Sequence, residues 1–294
     1  KIYGTLDFEV TGTQAHELNA AGQRTHLWFD SVELKNQVAD VAGTTSADGS
    51  APAGYRDTFQ MYWLNLPAVT GSVHILQWQS DTNLPASTSY SGYGRLDNVA
   101  MVSDGTVTKQ VNLGAVVSTV FSGTLVTPTG YTPTAKRVYL TAPHGTSLRL
   151  FTETGAAKDF SYAVPQLGAF TYEIACWAEE GDRSMLAVRR GLPANPSGLT
   201  VNMNSPAPSL SLPVDAAVGI DLATQSFSWS PFTGGLHVAN LYGTNVTLSV
   251  ITSDSKATLP STSELGLGTF PTGTEFQWRT TGFTGSSSVD DVLS

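Results

Sequence analysis

Met61-Tyr-Trp-Leu-Asn-Leu-Pro-Ala-Val-Thr-Gly-Ser-Val-His-Ile-Leu-Gln-Trp-Gln-Ser80 concentrates more apolar bulk than any comparable stretch of this chain, and its reading decides the fold. A helix crossing a bilayer needs about 20 successive apolar residues, but Asn65, Pro67, Gly71 and His74 interrupt the run. What remains is a pair of alternating strands around Leu66-Pro67, with Gly71 supplied where φ can be positive. Val73 and Ile75 share one strand face, and His74, Leu76 and Trp78 share the other. The segment is expected to be a central hairpin, with Trp78 in the core.

The pattern returns at Phe160-Ser-Tyr-Ala-Val-Pro-Gln-Leu-Gly-Ala-Phe-Thr-Tyr-Glu-Ile-Ala-Cys-Trp177, within a longer correspondence. Lys1-Ile-Tyr-Gly-Thr-Leu6 matches Val120-Phe-Ser-Gly-Thr-Leu125, and Thr25–Asp30 matches Lys136–Thr141. The copies close on Val111-Asn-Leu113 and Val201-Asn-Met203. Landmarks in one order mark an internal repeat. In the second copy Tyr172, Ile174 and Cys176 oppose Glu173, Ala175 and Trp177, and Trp177 is also expected in the core. The first copy carries a long loop, 33–58, and the tyrosine-rich Leu84–Gly94 reads as another loop.

This arrangement resembles the prealbumin-like sandwiches of the carboxypeptidase-regulatory-like and Cna protein B-type domains. The resemblance rests on the Gly-Thr-Leu strands, the Leu-Pro or Val-Pro segments and the closing valine strands. It implies a sandwich for 1–115 and another for 116–206. It also raises a Lys-to-Asn crosslink between first and last strands, for which Lys1 and Asn112 are topologically placed; a solvent-facing Lys1 is the simpler reading. After the Pro- and Ser-rich Met203–Pro213, short strands recur between Gly and Pro. Trp229 and Leu267–Trp278 resemble the second-strand tryptophan and the turn into the sixth strand of fibronectin type III domains, although Phe276 stands at the tyrosine-corner position. The expected fold is therefore all-β: three tandem β-sandwich (Ig-like or prealbumin-like) domains at 1–115, 116–206 and 207–294.

Composition narrows the function. The 294 residues are 40% hydrophobic and only 13% charged, enough for packed cores with polar strand faces. A net charge of −9 disfavours nucleic acid. A single cysteine, Cys176, leaves the redox compartment open. The start at Lys1 reads as a mature exported or trimmed chain, secreted or on a cell surface. The five histidines are scattered, without the spacing of a zinc site. Neither a nucleophile elbow nor a phosphate loop is present, and no enzymatic activity is expected.

Two ligand classes are represented. Hard cations need converging oxygens, and Glu179, Glu180 and Asp182 are the candidate calcium ligands; no other cofactor is expected. Exposed aromatic rings stack on sugars, and Tyr55, Tyr90 and Tyr93, read as loop residues, are the candidate glycan platform, with packing against the sandwich as the alternative. Asn245-Val-Thr247 is a glycosylation sequon. The expectation is a non-enzymatic extracellular or cell-surface protein, of bacterial type, with a structural, adhesive or filament-associated role. Its partners would be proteins or further copies meeting at sheet edges. The alternative is a carbohydrate-binding accessory region of a secreted enzyme.

Overall fold

The computed structural model describes residues 2–11, 23–34, 55–63, 67–79, 88–181, 183–203, 205–232, 235–243, 247–259 and 273–284. Among them the chain is all-β, with a 3₁₀ turn at Val32–Leu34 and no α-helix. Among the described residues no helix is long and apolar enough to cross a membrane.

Strand β1 (Ile2–Thr11) lies between β3 (Tyr55–Trp63), antiparallel to it, and β6 (Thr106–Asn112), parallel to it. In a second sheet β4 (Ala68–Gln79) lies between β2 (Gln23–Asp30) and β5 (Ser89–Val102). Period-2 alternation turns Leu6, Phe8 and Val10 of the first sheet toward Phe29, Val73, Ile75 and Met101 of the second, and they form one buried core.

The segment from Met61 to Ser80 is consequently an arch, not the expected hairpin. Strand β3 takes its ladder from β1, while β4 takes its own from β2 and β5. The chain leaves the first sheet after Trp63 and is in the second by Ala68. Gly71 does not adopt a left-handed φ; its hydrogen replaces a Cβ that would lie 2.7 Å from the Phe29 ring and closer still to the Asp30 carbonyl. Residues 55–58, expected in the long loop, begin β3, and the rest of that loop from 35 lies outside the described residues.

The same design recurs. Strand β7 (Ser118–Val126) lies between antiparallel β10 (Asp159–Pro165) and parallel β13 (Leu199–Asn202). The facing sheet runs β12 (Arg183–Leu192), β11 (Thr171–Glu180), β8 (Thr132–Thr141), β9 (Ser147–Thr154). The repeated landmarks occupy matching strands: β1 and β7, β2 and β8, β3 and β10, β4 and β11, β6 and β13. Phe121 packs on Phe160 and Tyr172 in this core. The Tyr172 hydroxyl donates to the Pro165 carbonyl, tying the two sides of the second arch.

A third pair of sheets comprises β14 (Leu210–Leu212), β15 (Ser226–Trp229) and β18 (Lys256–Thr258) against β17 (Thr247–Thr252), β16 (Gly235–Tyr242) and β19 (Gln277–Thr284). Trp229, Phe227 and Leu241 are buried there with Phe276 and Trp278 packed against them. Contacts gather the chain into two compact units. One comprises 1–126, 133–177 and 186–202, and so holds most of the first two sandwiches; the other comprises 127–132, 178–185 and 203–294.

Candidate functional site

Strand alternation gives the β2-β4-β5 sheet a second face, directed away from its own core. It carries Trp28 and Asp30 from β2, His74, Leu76 and Trp78 from β4, and Tyr90 and Tyr93 from β5. Tyr90 and Tyr93 are three apart yet share this face. A register shift places Tyr93 opposite Leu76 and Tyr90 opposite Trp78, leaving Ser91 as an extra residue. His26 stacks on Trp78 with centroids 4.7 Å apart, and Trp28 stacks on His74 at 5.2 Å.

Such a face is too apolar to stand in water, and the second sandwich covers it. Phe170, between β10 and β11, meets the rings of Trp28, His74 and Tyr93 edge-on at 6.0, 5.2 and 6.1 Å, the geometry that sets positive ring edges on negative faces. Polar contacts surround the rings. The Tyr90 hydroxyl donates to the Ala163 carbonyl at 3.2 Å. The buried Asp30 carboxylate accepts the His144 and Thr146 amides at 3.1 and 3.4 Å, in a β8–β9 turn where Gly145 has φ 101°. Thr146 Oγ1 donates to the Phe29 carbonyl at 3.3 Å.

Beside this junction is a groove of about 330 Å³, lined by Tyr93, Arg95, Val117, Gln166, Leu167 and Phe170 among others. Tyr93 and Gly114 exchange both backbone hydrogen bonds at 2.9 Å, which holds the connecting segment alongside β5. Gly94 permits that approach, since a Cβ there would lie 2.7 Å from Val111 Cγ1. The Tyr93 hydroxyl is 2.8 Å from His74 Nδ1. Burial pushes the Tyr93 phenol up to about 12 and the His74 imidazole down to about 4, so both are neutral near pH 7. Asp97 accepts from Ser72 Oγ at 2.6 Å and Arg95 Nε at 2.5 Å, and the Ser72 bond leads in holding its carboxyl below the usual range. The groove thus presents an aromatic wall, a guanidinium and a carboxamide, a set suited to stacking and hydrogen bonding.

The sequence candidates fare differently. Tyr93 lines the groove, although from a strand. Tyr90, also in β5, is 7% exposed with its hydroxyl committed, so it is no open platform. Tyr55 begins β3 opposite Val10, and its side chain lies outside the described residues. Glu179 and Glu180 are successive residues of β11 and point to opposite faces. Glu180 is paired with Arg183, and Asp182 lies outside the described residues. Among the described residues no three His, Cys, Asp or Glu side chains gather as metal ligands. Lys1 and Asn245 are likewise outside them; Asn112 is exposed on β6.

Trp78 is buried, but on the junction face and not in the sandwich core. Trp177 is only half-buried, with the Arg137 guanidinium 4.7 Å from its ring centroid. Cys176 is buried, and desolvation pushes its thiol up to about 12. Sequence reasoning missed Asp30, Phe170 and the buried Lys136. Lys136 Nζ lies 3.0 Å from Glu153 Oε1 and donates to the Ala157 carbonyl at 2.6 Å. The Tyr162 hydroxyl donates to Glu153 Oε2 at 2.5 Å. Burial, then that carboxylate, raise the Tyr162 phenol far above its ordinary range. A signal existed, because Lys136 shares its strand phase with buried Val138 and Leu140.

No family model and no curated protein matches the chain. Among solved structures it is similar to a DUF3823 family protein from Bacteroides uniformis, at 10% identity over 65% of this chain and 99% of that one, with a TM-score of 0.16. It is also similar to a C-terminal fragment of the pilus adhesin SpaC from Lactobacillus rhamnosus GG, at 13% identity over 69% and 95%, with a TM-score of 0.17. Superpositions that loose carry no argument about this chain.

Proposed function

We propose that this chain is a non-enzymatic, secreted or cell-surface bacterial protein of tandem β-sandwiches with a structural, adhesive or filament-associated role. The observation that carries the reading is the aromatic face of the β2-β4-β5 sheet. It is consumed by docking the second sandwich, as suits a stiff spacer. The shared order β3-β1-β6 and β10-β7-β13, in each of which the central strand is antiparallel to the former neighbour and parallel to the latter, supports two prealbumin-like repeats. The β14-β15-β18 sheet against β17-β16-β19 supports an Ig-like or fibronectin-like third domain, since the first, second and fifth of its described strands face the third, fourth and sixth.

Self-association would use sheet edges. Strand β14 is an edge whose Leu210 and Leu212 are 45% and 52% exposed, an apolar edge of the kind that pairs with other strands. Negative-stain electron microscopy of the purified protein tests the reading: rods, filaments or sheets are expected, and a compact monodisperse particle that hydrolyses a substrate overturns it.

The groove favours a second reading, a carbohydrate-binding region. Tyr93 and Phe170 supply the ring wall, and Arg95 and Gln166 the polar groups. A glycan array compared with Tyr93→Ala checks it; no binding by the unmodified protein rejects it.

A further inference from the structure

His74 stands where three elements meet. It is fully buried, stacked on Trp28 and edge-on to Phe170. Nδ1 is engaged with the Tyr93 hydroxyl, and Nε2 is buried without a hydrogen-bond partner among the described residues. A neutral imidazole carries one N–H, whereas the cation carries two and accepts nothing. Whichever tautomer is the neutral form, a second proton makes both nitrogens donors, and the Nε2 donor has no acceptor.

The charged and titratable groups around the ring do not rescue it. Asp30 at the end of β2 and Asp97 on β5 favour the cation; Arg95 on β5 and His144 in the β8–β9 turn oppose it; burial outweighs all four. Tyr93 is neutral near pH 7, and residues 166–170, which carry Phe170, contain no titratable side chain. The opposite face of β4 belongs to the first sandwich's own core, which does not depend on Phe170. Separating the two sandwiches removes the Phe170 edge, the His144 and Thr146 contacts to Asp30 and the Tyr90 bond to Ala163, and opens the ring to water.

We infer that this junction is a proton-operated joint: uptake of a proton by His74 releases the second sandwich from the first while each keeps its own core. Linkage fixes the direction. A group that binds its proton more weakly in the docked form makes acid favour the undocked form. If the separated ring regains its ordinary 6.5 against about 4 when docked, the docking equilibrium weakens by up to roughly 300-fold.

Small-angle scattering of the full chain from pH 7.5 to 3.5, with far-ultraviolet circular dichroism on the same samples, tests the joint. The expected result is a reversible rise in radius of gyration below about pH 6, unchanged strand signal, and a red shift in tryptophan emission as Trp28 and Trp78 become wet. His74→Phe is expected to remain docked through that range. A readout needing no variant is the His74 ring titration by NMR, whose midpoint must coincide with that of the scattering change. The proposal is overturned by constant scattering while His74 titrates, by loss of strand signal together with the size change, or by a His74→Phe protein that opens at the same pH as the unmodified chain.

Discussion

At the scale of single residues, the consequences are those of space and of protons. Gly71 is dictated by the Phe29 ring and the Asp30 carbonyl beside its Cα. Gly71→Ala is therefore expected to cost about 1–3 kcal/mol by overpacking, measured by urea denaturation. His74 titrates at 6.5 in an ordinary setting and at about 4 in the fold. As pH falls the unfolded chain binds this proton first, so the stability is fully present above 6.5 and drains as pH falls toward 4. The loss is on the order of 3 kcal/mol. Denaturation midpoints at pH 7.5 and 4.5 measure it, and His74→Phe is expected to flatten the difference. His237 adds to the same trend, because burial also lowers its pKa. None of these demands is written in the residue itself: His74 looks like any strand histidine until the covering Phe170 is placed.

At the scale of elements, the Lys136–Glu153 pair joins β8 to β9, and Tyr162 attaches β10 to it. Removing one partner strands the other charge, so Glu153→Leu is expected to cost about 3–5 kcal/mol. Adding Lys136→Met is expected to restore most of that, because it removes the buried ammonium left without its carboxylate. Equilibrium unfolding of the single and double variants measures the coupling. The same alternation that buries Lys136 separates Glu179 from Glu180. Adding calcium is accordingly expected to leave the melting temperature unchanged, and a rise of several degrees would restore the metal reading. Strand phase was legible in the sequence of β4, β8 and β11. The β5 strand was not, since Ser, Gly and Tyr in Ser89–Gly94 carry the composition of a loop. Its glycine at 94 answers a close approach that only the folded chain creates.

At the scale of the whole molecule, the first two sandwiches lie mostly within one compact unit, held by rings and by the Asp30 contacts. Calorimetry is expected to show them melting in one transition. Phe170→Ala removes the ring that touches Trp28, His74 and Tyr93, at a cost of about 3–5 kcal/mol, and is expected to split that transition into two.

The sequence by itself determined the all-β class, the repeated strand pattern and the two faces of Ser72–Trp78, because period-2 burial leaves its mark in residue type. Only the tertiary structure decided that Met61–Ser80 is an arch, that Trp78 and Tyr90 lie outside the sandwich core, and that another sandwich covers them. Ladder hydrogen bonds are made by backbone groups that every non-proline residue carries alike, so alternation says that a face is buried without saying which strand pairs beside it or what covers it.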